Sequence, residues 1–165
     1  MKDFKGSVYG EITEKGTEKL IGLFADYFND PNGVFYDLGS GKGDLVLSVK
    51  SSTAIGKAVG VELHPERHLI ATEKLKEKNL KNVYFVNENI LQTDLSKATI
   101  IYYANEGIPK AVSNELWHNI PNGCMLVCGR KVNNLVNKWK FDRTEPIEKT
   151  YTNKRGNWYI IKNDE

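Results

Sequence analysis

Apolar positions along the chain fall into two alternating rhythms. From Glu14 to Asn29 they recur at Leu20, Ile21, Leu23, Phe24, Tyr27 and Phe28, the spacing of one helix face. Asp30-Pro31-Asn32-Gly33 is a turn sequence, and the apolar run Val34-Phe35-Tyr36 after it predicts a strand. A helix is predicted over Lys42–Ser52, a strand over Lys57–Glu62, and a second helix opened by Pro65 and carried by Leu69, Ile70, Leu75 and Leu80. Val83–Val86 predicts a third strand, Asn87–Lys97 a loop, Thr99–Tyr103 a fourth strand, Pro109–Asn119 a helix and Cys124–Gly129 a fifth strand. Five strands alternating with helices imply a doubly wound, mostly parallel α/β sheet. Beyond Gly129 the rhythm changes. Val132–Trp139 reads as a short helix or loop, and Phe141–Tyr151 and Asn157–Lys162 read as two strands of a terminal antiparallel hairpin.

The stretch that carries chemistry is Val34-Phe35-Tyr36-Asp37-Leu38-Gly39-Ser40-Gly41-Lys42-Gly43-Asp44. It runs strand, glycine turn, helix, the opening unit of a nucleotide-binding sheet. Gly39, Gly41 and Gly43 allow a sharp turn and a close approach of ligand to backbone. A second apolar run, Ala58-Val59-Gly60-Val61, ends in Glu62, where an acid can hold both ribose hydroxyls of a nucleoside. Dinucleotides and S-adenosylmethionine both meet that description. Asp37 inside the turn repels a pyrophosphate and suits the ammonium of a methionine moiety. Lys42 lacks the spacing of a phosphate-binding loop. The turn resembles motif I of the seven-strand S-adenosylmethionine-dependent methyltransferases, which implies a Rossmann-like methyltransferase fold with that cofactor and the C-terminal hairpin.

At 165 residues, 40% hydrophobic and 27% charged, the chain suits one domain over residues 1–165 with a substantial core. No apolar run is long enough to span a bilayer, and Met1–Gly6 lacks a signal-peptide core, so an intracellular location is expected. Cys124 and Cys128 share one face of a strand and are expected as buried thiols, and no histidine is spaced to form a metal site with them. From Arg130 onward nine Lys/Arg stand against five Asp/Glu; before it the balance is fourteen against sixteen. That basic C-terminal part is a candidate for a weak DNA contact, although such a stretch also serves as plain solvated surface.

In an open α/β sheet the ligand lies across the carboxyl ends of the strands. Those ends carry Asp37, Gly39, Ser40, Gly41 and Gly43 for the methionine moiety and Glu62 for the ribose, and the resemblance to these methyltransferases implies Asn89 and Ile90 for the adenine. Ala104-Asn105-Glu106-Gly107 follows the fourth strand, beside the expected methyl group. It contains neither the Asn/Asp-Pro-Pro-aromatic clamp of DNA amino-methylation nor a cysteine for carbon-5 methylation, which argues against both.

Val8-Tyr9-Gly10-Glu11 ahead of the first helix, Asp37–Gly43, Gly60-Val61-Glu62, the aliphatic run ending in Asn105, and a hairpin holding Trp158 and Tyr159 around a basic turn occur in one order. Together they resemble the disruptor-of-telomeric-silencing class of histone-lysine methyltransferases over nearly the whole chain. The small archaeal protein-lysine methyltransferases share the same compact plan. Ala104 and Glu106 stand where the histone enzymes have Asn and Phe, and their amino-terminal helical domain is not expected here, so the resemblance implies lysine transfer more strongly than histone specificity. It implies Glu11 closing over the cofactor. An aromatic amine channel is expected from Tyr9, Trp158 and Tyr159, with Tyr103 a further candidate, and Asn105 or Glu106 would orient or deprotonate the amine. The implied partner is a protein with an accessible lysine, a histone or nucleosome among the candidates. An RNA or small-molecule methyltransferase, or a non-catalytic cofactor-binding module, are the alternatives.

Overall fold

The computed structural model describes residues 10–130, 139–150 and 156–163. Its elements in order are α1 (Glu14–Leu23), α2 (Ala25–Phe28), β1 (Val34–Leu38), α3 (Asp44–Ser52), β2 (Lys57–Val61), α4 (Pro65–Lys78), β3 (Val83–Val86), β4 (Ile100–Tyr103), α5 (Lys110–Leu116), β5 (Met125–Cys128), β6 (Trp139–Ile147) and β7 (Gly156–Asn163). β1 to β5 are parallel and stand in the order β3-β2-β1-β4-β5. β7 pairs antiparallel with β5, and β6 pairs antiparallel with β7 at the sheet edge. The basic turn and Val132–Lys138, expected to be a short helix or loop, lie outside the described residues.

Period-two alternation sorts the strands onto two cores. Phe35, Ala58, Ile100, Tyr102, Met125 and Val127 face α1 and α3. Tyr36, Leu38, Val59, Val61, Ile101, Tyr103, Leu126 and Cys128 face the layer of Leu116 and Trp117. Parallel register then brings Leu38 level with Val61 and Tyr103, and Tyr103 level with Cys128, so the strands end together on one edge. Both thiols are buried and outside any disulfide, and burial pushes the pKa of each up to about 12, as core residues.

The expected helix over Glu14–Asn29 is two helices. Phe24 leaves helical geometry (φ −121°, ψ 35°), and Leu20, Phe24 and Phe28 are all buried. An unbroken helix would carry position 28 about 80° around the axis from position 20 at 3.6 residues per turn; the break returns it to the core. Two further differences are short. Ile90–Gln92 in the expected loop is a 3-10 turn, and the helix over Pro109–Asn119 finishes as 3-10 from Trp117 to Asn119.

Gly43 caps α3 with φ +82°, and a β-carbon there would stand 2.5 Å from Phe85 Cζ and 2.9 Å from Ala71 Cβ. Left-handed strain of about 1–2 kcal/mol and overpacking of about 1–3 kcal/mol add at this position. Gly43→Ala is therefore expected to lower the melting temperature by roughly 4–20 °C, given about 2–4 °C per kcal/mol for a domain of this size, as thermal unfolding would show.

Candidate active site

The carboxyl edge of the sheet opens into a solvent-open cleft, about 400 Å³ when the open space at its mouth is included. Its floor is Asp37, Gly39, Ser40 and Gly41; Asp44 and Leu45 at the start of α3 form one side, and Tyr102 and Ala104 the end toward β4. Gly10, Glu11 and Ile12 wall it from outside the sheet.

The turn folds back onto β2, with Gly39 N–H and Ser40 N–H both donating to Val61 O at 2.8 and 2.9 Å. Gly41 N–H donates to Oε2 of Glu62 at 2.8 Å, and Oε1 of Glu62 accepts His64 N–H at 2.8 Å, with Arg67 Nη1 3.9 Å away. Glu62 is 4% exposed, and with one oxygen on Gly41 N–H and the other on His64 N–H it clamps the turn from beneath the cleft lining. Asp37 is equally buried; desolvation first, then the neighbouring Glu62 charge, raises its pKa to about 8. Ser40 Oγ is buried with no hydrogen-bond partner among the described residues.

The Gly10–Ile12 wall is held from across the fold. Thr13 N–H donates to Glu148 O (3.1 Å), Thr150 N–H to Glu11 O (2.8 Å) and Glu11 N–H to Thr150 Oγ1 (3.1 Å). Gly16 in α1 permits that approach, since a β-carbon would run into Glu148 O and stand 2.8 Å from Ile12 Cγ1.

Beyond Ala104, Asn105 is buried and its Oδ1 accepts Arg130 N–H at 2.8 Å. Glu106 is paired with Lys149. Of the residues expected in the site, Glu11, Asp37, Gly39, Ser40 and Gly41 line one cleft, Glu62 clamps its floor, Gly43 caps the helix behind it, and Asn105 and Glu106 follow its β4 end. Asn89 is exposed, its Oδ1 accepts Leu91 N–H at 3.0 Å, and Ile90 packs half-buried on the second core; neither lines the cleft. Tyr103 departs from expectation. It is fully buried, hydrogen-bonded to Ser113 Oγ at 3.2 Å and edge-on to Trp117 at 5.9 Å, on the face opposite Asp37 and Tyr102. Strand alternation makes it a core residue rather than part of a channel. Tyr9 lies outside the described residues; for Trp158 and Tyr159 the backbone alone is placed, with Tyr159 opposite Cys128 on β5.

Ile12, Leu45 and Tyr102 in the cleft lining and Lys149 beside Glu106 are not among the residues the sequence pattern singles out. Tyr102 was findable, because it shares parity and register with Asp37. Lys149 had no signal beyond being one lysine in a charged stretch.

The donor set fits S-adenosylmethionine. Glu11, Asp37 and Asp44 line the cleft, with Asp44 paired to Lys74 at 2.7 Å and Asp37 able to ionise against a cation, an acidic lining that disfavours a pyrophosphate; the buried Ser40 hydroxyl has no partner among the described residues. Among the described residues no group of three His, Cys, Asp or Glu side chains could hold a metal, and no helix is long and apolar enough to cross a membrane.

A parallel sheet with a glycine turn after β1 and an acid after β2 is a nucleotide-binding arrangement, and with the matches that follow it makes the chain a class I S-adenosylmethionine-dependent methyltransferase. Within that class the chain belongs to the DOT1 family, described as histone methylation protein DOT1, whose profile matches residues 1–159. A histone-lysine N-methyltransferase specific for H3 lysine-79 from Caenorhabditis elegans is 26% identical over 164 residues, 88% of this chain and 17% of that protein. A protein-lysine N-methyltransferase from Saccharolobus islandicus is 30% identical over 69 residues, 41% of this chain and 43% of its own. A tRNA (guanine-N(7)-)-methyltransferase from Oceanobacillus iheyensis is 33% identical over 70 residues, 42% of this chain and 33% of its own. The chain thus matches less than half the length of each of these relatives. An RNA methyltransferase from Salinibacter ruber, solved with S-adenosyl-L-homocysteine, shares the fold with a TM-score of 0.70 at 21% identity, covering 93% of this chain and 92% of that one.

Proposed function

We propose that this protein is an S-adenosylmethionine-dependent protein-lysine N-methyltransferase. The observation that carries the reading is the covering segment. The DOT1-family match runs through residues 1–159, and within it Gly10–Ile12 walls the cleft floored by the glycine turn.

In this reading Glu11 and Asp37 face the methionine ammonium, Gly39, Ser40, Gly41 and Gly43 shape the turn beneath it, and Glu62 takes the ribose hydroxyls. In this reading the adenine reaches past the lined cleft to Asn89 and Ile90. The acceptor must arrive as a neutral amine, which a poorly hydrated aromatic channel favours by lowering its pKa. Tyr9, Trp158 and Tyr159 form that channel, at the end of a seven-strand sheet closed by the β6–β7 hairpin. The amine lone pair forms the N–C bond to the methyl carbon in line as the C–S bond breaks; sulfur keeps that electron pair, leaving S-adenosylhomocysteine. Asn105 orients the amine, and Glu106, directly or through water, takes its proton. A histone lysine is the first substrate to try, with the basic part after Arg130 available to meet nucleosomal DNA.

RNA is the second reading, favoured by the tRNA-methylating relative. One experiment separates the two. Protein and methyl-labelled S-adenosylmethionine are offered core histones, nucleosomes, total cell protein and total RNA in parallel. Label is expected on a protein lysine and to vanish in Glu62→Ala. Trp158→Ala is expected to cut kcat/KM for the protein substrate about 100-fold while the cofactor still binds, the scale of losing an aromatic anchor from a desolvated pocket. Label on RNA alone would overturn the lysine reading. Undiminished transfer by both Trp158→Ala and Tyr159→Phe would overturn the channel.

A further inference from the structure

Glu106 does not hold its place unaided. Its carboxylate lies over Gly129, just after β5, in the space a β-carbon would fill. Against it stands Nζ of Lys149, whose side chain is 2% exposed while that of Glu106 is 28% exposed. Lys149 follows β6, and its backbone bridges antiparallel to Ile12 in the cleft wall. The hydrogen bonds flanking that bridge join Glu148 to Thr13 and Thr150 to Glu11. A single residue therefore touches two parts of the site: by backbone the segment that covers the cofactor cleft, by side chain the carboxylate after β4.

The arrangement is costly to maintain. A lysine this buried gives up its hydration, and burial draws its pKa down to about 7, while the Glu106 carboxylate beside it favours the charged form. A buried pair tolerates few geometries, because a misplaced partner leaves a charge without compensation. Gly129 narrows the choice further, since any side chain there would displace the carboxylate.

We propose that Lys149 is a positioning residue that sets the Glu106 carboxylate relative to the acceptor amine and ties it to the segment closing over the cofactor. This rests on the lysine-transfer reading, in which Glu106 meets that amine. Lys149 itself touches neither substrate nor cofactor in this scheme.

The test compares Lys149→Met, Lys149→Arg and Gly129→Ala with wild type, using methyl transfer to the lysine-containing protein labelled by wild type and calorimetric titration with S-adenosylmethionine. Lys149→Met is expected to lower kcat at least tenfold with the cofactor dissociation constant within about twofold, because the backbone bridge to Ile12 survives. Lys149→Arg should recover part of the rate. Gly129→Ala, which keeps Lys149 and displaces Glu106, should reproduce the kcat-selective loss and guards against Lys149→Met merely failing to fold. Combined with Glu106→Gln, Lys149→Met should cost nothing more, since both act through one carboxylate. Wild-type rates in both Lys149→Met and Gly129→Ala would overturn the proposal, as would affinity falling in step with rate or losses that add in the double variant. Absence of lysine transfer by wild type would refute the lysine reading and this inference with it, whereas wild-type transfer undiminished in the variants refutes the inference alone.

Discussion

Glu62→Ala is expected to weaken S-adenosylmethionine binding about 100-fold and to destabilise the free protein. The Glu62 backbone N–H donates to Val86 O at 3.0 Å, which fixes the residue at the end of β2. Its two oxygens accept Gly41 N–H and His64 N–H, both at 2.8 Å. A carboxylate offers about four lone-pair sites, so capacity remains for two ribose hydroxyls. Two hydrogen bonds to a charged acceptor, taken at the lower bound of about 1.5 kcal/mol each, amount to about 3 kcal/mol, or roughly 100-fold in affinity. The substitution also strands the buried Gly41 N–H, at about 1–3 kcal/mol. One effect runs the other way. The Glu62 charge helps to raise Asp37, so its removal lets Asp37 ionise more easily. Glu62→Gln, which keeps a carbonyl acceptor for the turn, should therefore lose less stability than Glu62→Ala while still binding cofactor poorly. Urea unfolding and calorimetric titration separate the two effects. Affinity within threefold of wild type in Glu62→Ala would reduce this carboxylate to a clamp on the turn.

Cofactor affinity is expected to rise about tenfold per pH unit between pH 6 and 7.5. With its pKa raised to about 8, Asp37 is mostly protonated in the free protein over that range. A ligand ammonium favours the ionised form, so binding must expel the proton, and its cost grows with each unit below pH 8. Titration in buffers of different ionisation enthalpy should show close to one proton released at pH 6. Stability moves the opposite way. The folded state holds this proton to about pH 8, whereas the carboxyl in the unfolded chain releases it near its ordinary value of 3.8. The contribution is therefore complete below pH 4 and is lost as pH rises toward 8, at up to about 1.4 kcal/mol per pH unit. Asp37→Asn should flatten both profiles and bind cofactor weakly throughout. A wild-type affinity that does not change between pH 6 and 7.5 would mean that Asp37 does not answer the ligand's charge.

Both expectations concern residues visible in the sequence, and what was visible about them was chemistry rather than arrangement. Asp37 and Glu62 stood out as acids ending apolar runs, yet their mutual proximity, which raises Asp37, comes from pairing β1 with β2. Tyr103 shows the limit of reading by residue type. An aromatic at the end of β4 was a channel candidate until its strand parity turned it toward Ser113 and Trp117. The break at Phe24 was invisible because helical spacing reports which residues seek a core and not where that core lies.

By itself the sequence determined the parallel α/β core, the glycine turn with its flanking acids, and the buried thiols. All three are encoded by neighbours in the chain: period-two and period-3.6 patterns sort side chains locally, and glycine fixes backbone options one residue at a time. Only the tertiary structure decided that Glu62 clamps the turn, that Gly10–Ile12 is stapled to Glu148–Thr150, and that Lys149 reaches Glu106. Those contacts join residues far apart in sequence, and their existence depends on how the segment after β6 returns past α1 to the cleft. No local pattern carries that information, because a buried lysine and an exposed one look the same in a sequence until the sheet around them is assembled.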